Sequence, residues 1–382
     1  MSILLLIPEA YSSRGGVQAY MRRLAEILSA FAEERGGALD CVSLADAGPN
    51  LEAHPNGVRY REFCGARGSK AAFARMAAQL ARAQKPRLVV VGHAGLAPVA
   101  WGLSLAGLIP PYVLVLHGWE AWRRVEHIKR MAAARAAAIV ATTDYTGREF
   151  CRLNGIPPEL ACVIPLAVPP AEQIAERRRG ANTALRVLTV CRLARGASYK
   201  GVDTLIEAAA WMRDAKVPMQ LTVAGDGDDF PRLRHRALEL ELEDYVSFQG
   251  DVADADLQPL YRDCDVFALP SKGEGFGIVF LEAMACGKPC IGGNHGGTPE
   301  VIEDGEDGFL VEHGDVAGLA GRLIALARDP ALARIMGERA RRKVHRRFLF
   351  EHMRARWFAL LDRIETAAAG RRQRELPRAA GY

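Results

Sequence analysis

Short runs of apolar residues, many of them β-branched, alternate with amphipathic stretches along almost the whole chain. In the first half we predict strands near 3–7, 38–44, 57–61, 87–91, 112–116, 138–141 and 161–164, and helices notably over 17–34, 70–84 and 144–153. This alternation is typical of βαβ units, which build parallel sheets with helices on both faces. The chain is therefore expected to be a doubly wound α/β protein.

The alternation stops once and then starts again. Residues 165–184, "PLAVPPAEQIAERRRGANTA", are rich in proline, small and charged residues, which is typical of a linker. Strands are predicted again near 185–190, 219–224, 245–248, 265–269, 289–292 and 308–311, and the pattern after 315 is helical to about 369. Since 382 residues exceed one ordinary core, we predict two similar domains with a cleft between them.

Composition narrows the class of protein. The chain is 49% apolar and 25% charged, as in soluble globular enzymes and unlike disordered chains. Its eight cysteines form no CxxC pair and follow no signal peptide, which predicts reduced thiols in the cytosol. Residues 88–109 carry no formal charge and are long enough to span a membrane. Gly92, Pro98 and Gly102 divide this stretch, however, so a buried strand, loop and helix is the better interpretation.

Charge is unevenly distributed between the two halves. Residues 1–169 hold 19 Lys+Arg against 13 Asp+Glu, a net charge of +6, whereas residues 170–382 hold 31 against 32, a net charge of −1. A basic first half could face a phosphorylated partner or an acidic membrane surface. A solvated, arginine-rich surface explains the excess equally well. Nucleic acid is disfavoured, because no basic motif interleaved with aromatic residues is present.

Parallel sheets bind ligands at the carboxyl ends of their strands, so the loops after the strands are where a site is expected. Gly15 and Gly16 precede a helix there, and they suit either an anion at the helix N-terminus or a plain tight turn. His117 follows the fifth strand beside a glycine and is a candidate ligand contact. For His93, after the fourth strand, closing its loop by hydrogen bonding is an equally good interpretation.

In the second half, Arg192 and Lys200 share the loop after the first strand. Two cations there would stabilise negative charge on a diphosphate, although a solvated basic loop has the same appearance. Gly225 and Gly227 in "VAGDGDD" indicate a turn near a ligand, and a single GxG is weak support.

The stretch "SKGEGFGIVFLEAMACGKP" places Glu274 in a glycine-rich turn and Glu282 eight residues later on a helix expected to begin about Phe276. Free N–H groups in the first turn of that helix favour phosphate. Helical side chains lean toward the N-terminus, so Glu282 could reach the same ligand as Glu274. The alternative is a glycine turn and a core helix, with Glu282 paired to a buried cation.

These motifs, together with "GGTPEV" after them, resemble in order and spacing the GT-B fold glycosyltransferases of family 4, a retaining group whose mark is the E-x7-E pattern seen here at Glu274 and Glu282. The resemblance covers nearly the whole chain. It implies an acceptor-binding Rossmann-like domain over 1–169, a domain over 170–349 that binds a nucleotide sugar, a deep cleft between them, and a helix within 350–382 that returns to the first domain.

The resemblance also implies residue roles. Glu282 would bind the ribose hydroxyls, and Glu274 would hold hydroxyls of the donor sugar near the reacting carbon. Arg192 and Lys200 would stabilise the departing diphosphate, and His117 would contact the sugar. The remaining donor-binding residues would be Gly15, Gly16, Gly225, Gly250, Asp251, Val252, Gly275, Phe276, Gly277 and Ile278. No metal, no cofactor beyond the nucleotide-diphosphate sugar, and no protein nucleophile are expected.

The function so implied is transfer of a hexosyl group from a GDP- or UDP-linked donor to a lipid-linked or polysaccharide acceptor, in cell-envelope or exopolysaccharide synthesis. Basic residues on or near helices of the first domain suggest peripheral contact with an anionic membrane, namely Arg22, Arg23, Arg67, Lys70 and Arg75. The alternatives are a nucleotide-sugar epimerase, a non-catalytic scaffold and a nicotinamide oxidoreductase. A nicotinamide oxidoreductase is disfavoured, because this chain does not have the G-x-G-x-x-G motif that such enzymes carry after the first strand.

Overall fold

The computed structural model describes residues 1–48, 58–169 and 183–375. The chain divides into two compact units: unit 1 is Met1–Leu166 with Glu351–Tyr382, and unit 2 is Ala167–Phe350. Most of the predicted linker lies outside the described residues.

Unit 1 contains a seven-stranded parallel sheet in the order β3-β2-β1-β4-β5-β6-β7. The order reverses between β1 and β4, which makes their carboxyl ends the switch point where such sheets bind ligands. Its strands are β1 (Ser2–Ile7), β2 (Ala38–Ser43), β3 (Tyr60–Gly65), β4 (Leu88–Val91), β5 (Val113–Leu116), β6 (Ala138–Ala141) and β7 (Ala161–Val163).

The first five helices cover the faces of this sheet. They are α1 (Gly16–Glu33), α2 (Lys70–Gln84), α3 (Ala97–Leu105), α4 (His127–Ala133) and α5 (Asp144–Asn154). Local chemistry fixes their ends: the Ser69 hydroxyl accepts from the Ala72 N–H at the start of α2, and left-handed Gly155 ends α5. The apolar stretch 88–109 is β4, a 3-10 turn and α3, as predicted. No helix in the described part of the chain is long and apolar enough to cross a membrane.

Unit 2 repeats the architecture with a six-stranded parallel sheet in the order β10-β9-β8-β11-β12-β13. The switch point here lies between β8 and β11. The strands are β8 (Leu185–Val190), β9 (Met219–Ala224), β10 (Val246–Gly250), β11 (Val266–Leu269), β12 (Cys290–Gly293) and β13 (Gly308–Val311). The helices are α6 (Val202–Asp214), α7 (Phe230–Glu239), α8 (Asp254–Asp263), α9 (Ile278–Ala285), α10 (Thr298–Val301), α11 (Val316–Arg328) and α12 (Pro330–Arg347).

The last helix, α13 (Phe350–Glu375), packs on unit 1, where the sequence analysis predicts that it returns. The rings of Phe31 and Phe358 meet edge to face with centroids 4.9 Å apart, and Arg35 pairs with Asp362 at 2.5 Å. Trp357 is fully buried. Burial of these aromatic rings is what fixes α13 in place.

Two predicted boundaries are wrong for physical reasons. Helix α9 begins at Ile278 rather than about Phe276, because Gly277 adopts a left-handed φ of 82° and lies outside the helix as its N-cap. Strand β3 runs to Gly65 rather than ending at 61. It is an edge strand with polar residues, so it does not show the continuous apolar run that marks a buried strand. The start of that predicted range, residue 57, lies outside the described residues.

Candidate active site

The loops after β8 and β11 touch at the switch point of unit 2. The loop after β8 ends in a 3-10 turn, Arg195–Lys200, and then Gly201 with φ of 78°. A Cβ on Gly201 would lie 2.4 Å from the Pro270 carbonyl oxygen, so glycine is needed for this approach. The Lys272 N–H donates to the Tyr199 carbonyl at 2.7 Å. These contacts bring two predicted site loops together.

Lys200 and Glu274 form an ion pair across these two loops. Lys200 Nζ lies 2.6 Å from Glu274 Oε1, and the side chains are only 18% and 10% exposed. Burial lowers the pKa of Lys200, but the carboxylate of Glu274 outweighs it, and the net shift is upward. Lys200 therefore keeps its charge at neutral pH. The sequence analysis predicts that Lys200 binds the diphosphate and that Glu274 binds the donor sugar. The structure adds that the two side chains form an ion pair with each other.

Arg192 lies on the same loop and is exposed. Within the described ranges no carboxylate pairs with it. The neighbouring Cys191 thiol stays neutral, because burial raises its pKa to about 12. The loop therefore presents the exposed cations Arg192 and Arg195 beside Lys200, which is held by a carboxylate.

The Glu274 loop is fixed on its other side by the loop after β12. The Gly297 N–H donates to the Glu274 carbonyl at 2.8 Å, and a Cβ on Gly293 would lie 1.8 Å from the Ser271 carbonyl oxygen. Ser271 and Thr298 bury their hydroxyl groups here, and among the described residues neither hydroxyl has a hydrogen-bond partner. Buried polar groups usually have a partner, so both hydroxyls are candidates for contact with a bound molecule.

Glu282 lies on α9 and is half-buried. The Tyr261 hydroxyl donates to Glu282 Oε2 at 2.7 Å. Burial and the nearby Glu282 charge raise the pKa of Tyr261 far above its usual value, so it remains a donor. Sequence reasoning missed Tyr261, because only the packing of α8 on α9 brings the two residues together.

The glycines after β9 have a structural task. A Cβ on Gly225 would lie 1.8 Å from the Cys191 carbonyl oxygen, and one on Gly227 would lie 2.2 Å from that of Leu193. The Gly225 N–H donates to the Gly250 carbonyl at 2.8 Å. These glycines let the ends of β8, β9 and β10 come close. Donor contacts at Gly225, Gly250, Asp251 and Val252, and at Gly275, Phe276, Gly277 and Ile278, stay predictions.

In unit 1, the glycine loop after β1 is held by a buried carboxylate. Gly15 is the N-cap of α1, and the exposed loop before it wraps around Asp46, which is 1% exposed. Three backbone N–H groups donate to this carboxylate at 2.8–2.9 Å, those of Ala10, Tyr11 and Ser12. The Ser12 and Ser43 hydroxyls donate at 2.6 Å.

These hydrogen bonds lower the pKa of Asp46, although burial alone would raise it. Asp46 was missed by the sequence analysis. The sequence feature that could have pointed to Asp46 is a single acidic residue three positions after β2, at the carboxyl edge of the sheet. The anion-binding role of Gly15 and Gly16 stays a prediction.

The two histidines singled out in unit 1, His93 and His117, differ in role. His93 Nδ1 accepts from the Gly95 N–H at 2.9 Å, so the loop-closing interpretation of His93 is confirmed, and burial lowers its pKa. His117 Nε2 lies 2.7 Å from the Gly92 carbonyl oxygen, and its ring meets that of Tyr20 edge to face with centroids 5.1 Å apart. Those contacts orient His117 at the end of β5. Its contact with a donor sugar stays a prediction.

The five basic residues suggested for membrane contact divide into two groups. Arg22 donates to the Ala10 carbonyl at 2.9 Å and Arg23 pairs with Glu26 at 3.3 Å, so both have local structural partners. Arg67, Lys70 and Arg75 are exposed, and none is paired with a carboxylate within residues 1–48, 58–169 and 183–375.

Metal-binding clusters and cysteine thiols are the remaining chemical features of the described chain. In the part of the chain that the structure describes, no cluster of three His, Cys, Asp or Glu side chains is placed to hold a metal ion. All eight cysteines are described and are free thiols.

Comparison with known proteins identifies relatives for both units. Residues 14–172 match the family model "Glycosyltransferase Family 4", and residues 174–343 match "Glycosyl transferases group 1". The chain is 41% identical over 152 residues to N-acetyl-alpha-D-glucosaminyl L-malate synthase of Bacillus anthracis, a match covering 40% of this chain and 39% of the relative.

It is also 34% identical over 189 residues to a GDP-mannose-dependent phosphatidylinositol monomannoside mannosyltransferase of Mycobacterium tuberculosis, which covers 48% of this chain and 49% of that protein. The chain thus spans about half the length, or less, of these curated relatives. The fold is that of Anabaena HepE solved with UDP, with a TM-score of 0.76, 22% identity, and coverage of 95% of this chain and 100% of the other. With a family model matching each unit, the chain belongs to the family 4 glycosyltransferases of GT-B fold.

Proposed function

We propose that the protein is a retaining glycosyltransferase that moves a hexosyl group from a nucleotide-diphosphate sugar to a glycan or lipid-linked acceptor. The observation that carries this proposal is the ion pair of Lys200 and Glu274 at the switch point of unit 2. It places a charged amine and a carboxylate at the edge where such sheets bind nucleotides. UDP in the solved relative and GDP-mannose in the name of a curated one support a nucleotide-sugar donor.

The donor would lie along the carboxyl ends of β8 and β11. Lys200 and Arg192 stabilise the negative charge that grows on the diphosphate as it leaves, without a proton transfer to the protein. Glu282, oriented by Tyr261, accepts hydrogen bonds from the ribose hydroxyls. Glu274 holds hydroxyls of the sugar, and its ion pair with Lys200 joins recognition of the sugar to the position of the charge.

Retention follows from substitution on a single face of the sugar. The bond between the anomeric carbon and the diphosphate oxygen breaks, a bond from the same carbon to the acceptor oxygen forms, and the acceptor proton moves to the departing diphosphate. In this scheme the protein supplies charge and position rather than a nucleophile. The reaction needs no metal, since Lys200 and Arg192 take the charge-neutralising place.

Names of relatives and surface charge support a proposal for the acceptor and its setting. A lipid-linked acceptor in cell-envelope or exopolysaccharide synthesis accords with relatives named for phosphatidylinositol mannoside and colanic acid synthesis. The protein would work in the cytoplasm, with Arg67, Lys70 and Arg75 toward an anionic membrane. Flotation with anionic vesicles tests this contact. If a variant in which Lys70 and Arg75 are neutralised binds the vesicles as well as the wild type does, the membrane contact is refuted.

The function itself is tested with a panel of GDP- and UDP-sugars, first by thermal shift and then by transfer to glycan and lipid-linked acceptors. A donor at 100 times its Kd should add about 2.7 kcal/mol to stability. We expect one donor to support transfer, with retained anomeric configuration by NMR and full activity in EDTA. An epimer formed from the donor alone would instead identify an epimerase. Binding without any reaction would indicate a scaffold.

A further inference from the structure

A partly exposed cluster of aromatic side chains lies after β5 and at the start of α5 in unit 1, and the donor site does not require it. It consists of Trp119, Trp122 and Tyr145, here called the aromatic ledge. The ring centroids of the two tryptophans are 5.3 Å apart, and those of Trp122 and Tyr145 are 5.4 Å apart. Trp119 and Tyr145 remain 46% and 43% exposed.

The ledge is held in place from beneath. The Trp122 indole N–H donates to the Thr146 hydroxyl at 3.1 Å, and Thr146 is itself buried in the first turn of α5. The Val125 N–H donates to the Asn154 side chain at 2.9 Å and ties the rest of the loop to the same helix. The aromatic faces are therefore oriented before any ligand arrives, which lowers the ordering cost of binding.

Contiguous exposed aromatic area on a folded surface usually marks a binding site. Tryptophan and tyrosine supply a flat apolar face with few rotatable bonds, so little entropy is lost when a ligand covers them. Two neighbouring exposed side chains, Arg123 and Arg124, have no carboxylate partner within the described ranges and add hydrogen-bond donors to the rim.

The charges around the ledge are of both signs and do not by themselves select its occupant. Acids and bases are interleaved there, and Arg148 pairs with Asp144 at 2.7 Å, as Lys129 does with Glu126 at 3.2 Å. An anionic membrane would attract Arg123 and Arg124 but repel the carboxylates among them, so the shape and chemistry of the aromatic faces decide between occupants. A ligand with apolar faces and polar edges fits better, and a pyranose ring has this character: its C–H groups form flat faces and its hydroxyls form the rim.

The ledge also stands close in the chain to a predicted site residue. Trp119 comes two residues after His117, at the carboxyl edge of the unit 1 sheet. We propose that the aromatic ledge stacks against a pyranose ring of the acceptor, so that the acceptor is a saccharide at its reacting end, with Trp119 as the principal contact. This inference rests on the proposed glycosyltransferase function and specifies the substrate class.

The test compares Trp119→Ala and the conservative Trp119→Phe with Trp211→Ala, a control variant that removes a 53% exposed tryptophan from α6 in unit 2. The probes are neutral trisaccharides of glucose, mannose and galactose, with binding followed by saturation-transfer NMR. We expect at least one trisaccharide to bind, Trp119→Ala to weaken it about tenfold, Trp119→Phe to restore much of the affinity, and Trp211→Ala to match the wild type. UDP and GDP affinities should be unchanged in all three variants, which also reports correct folding.

Three outcomes would overturn the proposal: no trisaccharide binds, Trp119→Ala binds as the wild type does, or the variant instead loses binding to anionic phosphatidylglycerol vesicles. If saccharide binding depends on Trp119 but the protein transfers sugar from none of the donors, the ledge proposal is supported and the enzymatic proposal is refuted. Transfer to a saccharide acceptor that is indifferent to Trp119 would do the reverse. In an active enzyme, Trp119→Ala should raise the acceptor KM and leave donor KM and donor hydrolysis unchanged.

Discussion

The loops at the carboxyl ends of the two sheets are held in different ways, although the first six strands of both sheets follow one order. In unit 1 the loop after β1 is organised by one buried carboxylate, Asp46, which accepts from backbone N–H groups and hydroxyls of its own unit. In unit 2 the loops after β8 and β11 are joined by Lys200 and Glu274, two charged side chains that pair with each other.

The difference distinguishes a carboxylate that stabilises a loop from a pair of charged residues in a candidate site. Asp46 is surrounded by neutral donors from the loop after β1 and from the end of β2, so its charge is already satisfied and a ligand would gain little from it. Lys200 is held by one carboxylate and keeps some exposure, so an incoming phosphate can share its charge. The expected outcomes below, from the largest effect to the smallest, test this contrast.

Removing the Lys200 charge should have the largest effect. Lys200→Met deletes the cation that we propose stabilises the leaving diphosphate, and loss of one such group costs about 10²–10³-fold in kcat. The matched control is Lys216→Met, which removes an exposed lysine on the loop before β9. Steady-state transfer measures both. Equal activity of the two variants would remove Lys200 from the mechanism.

Removing the Asp46 charge should act on stability and leave nucleotide affinity alone. Asp46→Asn leaves several buried donors poorly matched, a loss of about 3 kcal/mol in the free energy of unfolding. Urea denaturation measures it. If Asp46→Asn instead abolished UDP or GDP binding in a folded protein, the contrast between the two loops would fail.

The same carboxylate carries a pH signature. Because the pKa of Asp46 is lower in the folded state than its unfolded value of about 3.9, its contribution is present above that pH and is lost as pH falls through the folded pKa. The wild type should therefore lose stability below about pH 4, and Asp46→Asn should lose less over the same range.

The Lys200–Glu274 pair should respond as a unit. Glu274→Gln leaves a buried amine without its carboxylate and should cost about 2 kcal/mol in the free energy of unfolding, whereas the double variant Lys200→Met/Glu274→Gln should recover much of this loss. Activity should not recover with it. Additive losses of stability would show that the two side chains do not interact in solution.

The smallest effect is expected at Tyr261. Tyr261→Phe removes one hydrogen bond to Glu282, worth about 1 kcal/mol, and should weaken nucleotide binding about fivefold while the fold remains intact. Isothermal titration with UDP or GDP measures this loss. An unchanged Kd would mean that Glu282 needs no help in orientation or does not meet the ribose.

Much of the fold follows from the sequence, because runs of buried β-branched residues and capped helices are local signals. The predicted start of α9 is wrong because the sequence does not reveal the left-handed φ of Gly277. The predicted end of β3 is wrong because β3 is a polar edge strand. Within the candidate site, the glycine loops and both glutamates are predictions from motifs. Asp46 and Tyr261 are not, since each acts through partners that only tertiary packing supplies. The pairing of Lys200 with Glu274, 74 positions apart, was equally beyond local pattern.

The most direct test is a crystal structure of the protein with UDP or GDP bound. We expect the β-phosphate within hydrogen-bond distance of Lys200 Nζ at the carboxyl ends of β8 and β11, and the ribose hydroxyls on Glu282. A diphosphate bound away from Lys200, or held only by the loop that Asp46 organises, would contradict the account.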